Sequence, residues 1–112
     1  TSEKDIAICN TYQNLVDAWP ADSDAIQAAE SAEAIFENIT AVGKSLIAVS
    51  ESANTTKLVE VGKAVGEAAS KFAEVNASLI EQGFVPFFDE SLIGGEKLSL
   101  LCEEIGVPIA IP

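Results

Sequence analysis

Residues 57–82, KLVEVGKAVGEAASKFAEVNASLIEQ, decide the fold class. Leu58, Val61, Val65, Ala68, Phe72, Val75 and Leu79 follow one another at alternating steps of three and four. That spacing stacks them on one stripe of an α-helix. Lys57, Glu60, Lys63, Glu67, Lys71, Glu74 and Glu81 fall off the stripe, so the helix has a wet side and a dry side. Another part of the chain must cover the dry side. Gly83 suits the left-handed position that closes such a helix. Gly62 and Gly66 have the spacing of close helix packing, which in a charged amphipathic helix is either incidental or a tight crossing.

Upstream, Ser2-Glu3-Lys4-Asp5 has the form of a helix start, with acids where the positive end of the dipole favours them. The first helix is expected from Glu3 to Trp19, with Ile8, Tyr12, Leu15 and Trp19 inward and Pro20 as its stop. Trp19 reads as a core anchor near that corner. A long second helix is expected from Ser23 to about Glu51. Its dry face is small at first, with Ala25, Ala28, Ala29 and Ala32, and larger later, with Phe36, Ile39 and Leu46. The polar run 50–56 is the loop before the third helix, with Asn54 or Thr55 as the cap. Beyond Gly83, Pro86 can open a short helix through Ile93, Gly94-Gly95 breaks it, and a last helix is expected from Glu96 to Ile105. Gly106 ends that helix and an apolar tail, Val107 to Ile111, trails off extended. No strand alternation competes. The expectation is one all-α domain over residues 1–112, an antiparallel four-helix bundle with its last helix broken at Gly94-Gly95.

Composition bounds the chemistry. The chain has 112 residues, 48% of them hydrophobic, enough for one buried core. Eighteen acids against six bases give a net charge of −12, which disfavours nucleic acid and anionic membranes as partners. No run approaches the length of a transmembrane segment. There is no histidine, which removes the usual general base, the Ser-His and Cys-His nucleophile pairs and most zinc sites. Glu30, Glu33 and Glu37 lack the Glu-x-x-His partners of a di-iron bundle and read as a solvated face. Adjacent acids such as Asp89-Glu90 and Glu103-Glu104 point apart on a helix and do not pair. Neither a catalytic residue, a metal site nor a cofactor is expected, and the function is expected to be binding or assembly.

A chain that begins Thr1-Ser2-Glu3 and holds no methionine reads as a mature secreted form. The remaining signals agree. Cys9 and Cys102, on inward stripes of the terminal helices, are expected to form a disulfide. Asn38, Asn54 and Asn76 each begin an Asn-x-Ser/Thr sequon, with Asn54 in the loop the most accessible.

Two functions fit. In the first, a core thinned by alanine holds a fatty-acid-like molecule, or opens onto an apolar surface, between the second, third and fourth helices. The residues expected to line that site are Trp19, Ala28, Ala32, Phe36, Ala68, Phe72, Phe84, Phe87 and Phe88. If the alanines of the second helix face Ala64, Ala68 and Ala69 across the hairpin, one end of the pair is either closed by bulky groups, for which Trp19, Phe84, Phe87 and Phe88 are available, or left as an apolar cavity. In the second, the chain self-associates through its tail into a homo-oligomer. The order Ala18-Trp19-Pro20, a polar corner, a long Ala-rich helix, a Ser/Thr/Asn-rich turn and a second long helix ending Asn76-Ala77-Ser78-Leu79-Ile80-Glu81 resembles the secreted fungal hydrophobic-surface-binding proteins and cell-wall galactomannoproteins. The resemblance spans about Leu15 to Gln82. It implies a helical, glycosylated protein, extracellular or in the cell wall, associated with apolar surfaces or lipids. The cysteine pair and the Phe-rich turn before Gly94-Gly95 depart from that family's pattern.

Overall fold

A computed structural model describes residues 2–75, 78, 82 and 87–111 of the chain. The described residues are helical or irregular, with no strand among them. Helix α1 spans Glu3–Ala18, α2 Ser23–Ala28, α3 Ala32–Glu51, α4 Thr56–Val75 and α5 Glu96–Glu104, with a 3₁₀ turn at Glu90–Leu92 before α5.

Helices α3 and α4 form an antiparallel hairpin and make the most extensive contact in the molecule. Helix α1 lies along α3, and α5 bridges α1 and α4. The hairpin closes tightly because its contact face is built of small residues. A Cβ at Gly66 would stand 2.7 Å from the Gly43 carbonyl oxygen and 2.8 Å from Ile47 Cγ1, so neither backbone could come as near with a side chain there. Gly62 likewise receives Ser50 and Ile8. The Gly62/Gly66 spacing therefore marks a tight helix crossing. It also turns α4 relative to the expected stripe. Leu58, Gly62, Val65, Gly66, Ala69 and Ala73 are buried, Val61, Ala68 and Phe72 sit at the flank, and Val75 is 66% exposed. An apolarity count misses this face because glycine and alanine carry little hydrophobic weight, while close approach requires them.

The long helix expected from Ser23 to Glu51 is two helices. Ala29 adopts an extended conformation, and the Ser31 hydroxyl accepts from the Ala34 amide at 3.1 Å to start α3. Alanine-rich sequence favours continuation, but α2 buries no residue and little holds it in line with α3. Bending at Ala29 instead lets Ile26 and Ala29 pack against the core. The segment before Gly94 also differs from expectation: residues 87–89 are irregular and the only helical turn described there is the 3₁₀ turn, started by Asp89 accepting from the Ser91 amide at 3.0 Å. Pro86, expected to open a helix, and Gly83, expected to close one, lie outside the described residues.

The terminal elements follow expectation closely. Ser2 caps α1 through the Asp5 amide. Helix α5 ends in a Schellman motif: Val107 N–H reaches the Cys102 carbonyl at 2.8 Å and Gly106 N–H the Glu103 carbonyl at 3.1 Å, with Gly106 at φ 91°. Cys9 and Cys102 are paired at disulfide distance, Cα to Cα 5.7 Å, and both are fully buried. The tail returns over α1, where the Gln13 side chain bonds both backbone groups of Ala110, accepting from its N–H at 2.7 Å and donating to its carbonyl at 3.1 Å. Val107 and Ile109 pack partly against the core, and Ile111 stays 43% exposed.

Candidate functional site

The outer face of the α3–α4 hairpin carries an open groove of about 780 Å³. Its residues come from one side of each helix: Glu33, Phe36, Glu37, Thr40, Ala41 and Lys44 from α3, and Ser70, Ala73 and Glu74 from α4. The spacing on α3 is a helical stripe, i, i+3, i+4, i+7, i+8, i+11, so the face is continuous for about 16 Å. Small Ala41 and Ala73 leave the depression, and Phe36, itself 5% exposed, lies beneath its floor. Glu33, Glu37 and Glu74 are exposed at one end and Lys44 is exposed at the other.

A separate, smaller cleft of about 310 Å³ lies where the α1 corner meets α2 and α3. Trp19, Pro20, Ala25, Ala29, Ala34, Ile35 and Asn38 border it. Trp19 is 3% exposed and held between two rings, Phe72 at 5.3 Å and Phe88 at 5.9 Å between centroids. Phe88 is brought there by its amide, which donates to the Pro20 carbonyl at 2.9 Å. The structure thus brings together Trp19, Phe72 and Phe88 of the expected site and uses them to fill one end of the interior.

The rest of that set is scattered. Ala28 is exposed on α2, Phe87 is 48% exposed, and Ala32 and Ala68 are half-buried in different places. Phe84 lies outside the described residues, as does Asn76. Nor do the alanines of α2 face Ala64, Ala68 and Ala69. Gly43 meets Gly66 and Ser70, and Ser50 meets Gly62, so this register sets Ala68 near Gly43 and carries Ala32 past the described end of α4. The break at Ala29 removes Ala25 and Ala28 from the hairpin altogether. Of the expected lining residues that are described, Phe36 alone borders the α3–α4 groove. Asn38 and Asn54 are both exposed.

Two polar contacts were not legible. Asp5, buried on α1, accepts from the Thr55 hydroxyl at 2.6 Å and the Thr55 amide at 3.2 Å, tying α1 to the start of α4. The Thr55 hydroxyl bond, more than any other contact, holds the Asp5 carboxyl below the ordinary aspartate range. Tyr12, fully buried, donates to Glu90 Oε1 at 2.8 Å, and Ser99 donates to the same oxygen. Burial, reinforced by Glu90, pushes the phenol well above its usual value. Each pair is far apart in sequence, and no local pattern announces it.

Among the described residues, no group of three or more His, Cys, Asp or Glu side chains is placed to hold a metal ion. No described helix is long and apolar enough to cross a membrane. Comparison of the chain with protein families, with curated proteins and with solved structures finds no match.

Proposed function

We propose that this chain is a secreted, non-enzymatic helical protein that holds an apolar chain of fatty-acid type, or an apolar surface, against the outer α3–α4 groove. The groove itself carries the reading. Its volume lies within the range of small-molecule sites, and Phe36, Ala41 and Ala73 give it apolar contact surface. The outer groove is a different site from the interior one expected between the helices, where Trp19, Phe72 and Phe88 pack together. In this reading α1, α3, α4 and α5 form the expected four-helix bundle, with a 3₁₀ turn before Gly94-Gly95 where the first half of a broken last helix was expected. Secretion is supported by the Cys9–Cys102 pair, since such bonds persist in oxidising compartments. Exposed Asn38 and Asn54 are accessible to glycosylation. The absence of histidine supports binding over catalysis.

The tail favours a second reading, self-association, because Ile111 remains exposed. Against it, the Ala110 backbone is already bonded by Gln13 and Val107 and Ile109 lean on the chain's own core. Native mass spectrometry separates the two. Added mass of one dodecyl-chain amphiphile, lost in Ala41→Trp, which fills the groove from an exposed position, is expected for groove binding; discrete oligomers with no added mass would establish the second reading instead.

A further inference from the structure

The ends of the α3–α4 groove differ in charge, and this selects among apolar chains. Glu33 and Glu37 are one turn apart on the same face of α3, where like charges repel. Glu74 joins them from α4. All three are exposed, and none has an ion-pair partner among the described residues. The repulsion between them is therefore relieved by salt or by a bound cation. Lys44, the one basic side chain bordering the groove among the described residues, stands three helical turns away from Glu33 and can lay its aliphatic stem along the apolar surface. We propose that the groove prefers a cationic single-chain amphiphile, its amine or quaternary ammonium head among Glu33, Glu37 and Glu74 and its alkyl chain over Phe36, Ala73 and Ala41.

This rests on the groove being an alkyl-chain site. A carboxylate head at the Lys44 end would meet one positive charge in a protein of net charge −12, whereas a cation at the other end meets three carboxylates. Exposed charges of this kind each attract only weakly, and salt weakens them further. Together they give about a tenfold preference at low ionic strength.

Isothermal titration at concentrations below micelle formation, with helical circular dichroism unchanged, tests this with dodecyltrimethylammonium, dodecanoate and neutral dodecyl maltoside. The expected result is cation over neutral over anion, with the cation's advantage shrinking as salt rises. Replacing Glu33, Glu37 and Glu74 by Gln should bring the three affinities to within about threefold. The triple Glu3→Gln, Glu103→Gln, Glu104→Gln, with the same net charge, should change nothing. Equal losses in both triples would mean general attraction by an acidic protein and overturn the proposal, as would a preference for dodecanoate. Binding of all three probes with no order of preference would overturn the head-group assignment and leave alkyl binding standing. Binding of none would overturn both.

Discussion

Asp5 and Tyr12 show what single buried polar groups do in so small a core. Asp5 gains its bonds to Thr55 only in the folded chain, and its folded pKa is depressed. The unfolded chain therefore takes up a proton first as pH falls, so the stabilisation is present above the ordinary aspartate value of about 4 and is lost as pH drops below it. Asp5→Asn should flatten that part of the acid limb, measured as urea midpoint against pH; an unchanged limb would place the acid sensitivity elsewhere. Tyr12 has the opposite sign. Its folded pKa is raised, chiefly by burial, so the unfolded state loses its proton first and stability falls as pH rises above about 10. Because the chain has a single tyrosine, its ultraviolet phenolate absorbance is unambiguous. The signal should stay low well past the pH at which free tyrosine titrates and then rise together with loss of helix.

At the scale of elements, the hairpin depends on how near α3 and α4 can come. Gly66→Ala would gain about 1 kcal/mol of helix propensity. The new Cβ meets the Gly43 carbonyl, a backbone atom that cannot swing aside, and overpacking of this sort costs about 1–3 kcal/mol. The net expectation is a lower urea midpoint. Ser50 behaves differently. Its hydroxyl is fully buried and has no partner among the described residues, an arrangement that costs about 1–3 kcal/mol. Ser50→Ala should be neutral or stabilising by about 1 kcal/mol, since it removes the unpaired oxygen and leaves a methyl group against Gly62. A clear loss of stability in Ser50→Ala would show that the hydroxyl is paired in solution.

Across the whole molecule, the bond between Cys9 and Cys102 closes a loop of 93 residues, nearly the entire chain. In the chain-entropy view such a closure is worth about 4–5 kcal/mol, a large share of what a domain of this size has. Intact mass should rise by that of two hydrogen atoms on reduction. Cys102→Ser should lower the melting temperature by more than about 10 °C, far more than loss of one small core side chain would cause. The same bond joins α5 to α1, and the tail that follows α5 is held over α1 by the two Gln13–Ala110 hydrogen bonds.

Local signals determined most helix limits: the three-and-four spacing that opens at Leu58, the Ser2 start, Pro20, the polar loop and Gly106 set the limits of α1 and α5, the start of α4 and the loop side of α3, because these signals act within a turn of the chain. The cysteine pairing was legible for a different reason: two inward cysteines sit on the terminal helices of a chain that reads as secreted, with two buried free thiols as the alternative. What the tertiary structure decided was everything that depends on distance between helices. It set the α4 contact face on Gly62, Gly66 and Ala73, where the limiting quantity is backbone approach and not hydrophobicity. It broke the second helix at Ala29, where local propensity for helix yields to packing of Ile26 and Ala29. It spent Trp19, Phe72 and Phe88 on closing the interior and left an unfilled groove outside, along Phe36, Ala41 and Ala73. A pattern of residues along one helix says which side is apolar; only the neighbour's position says whether that side is filled.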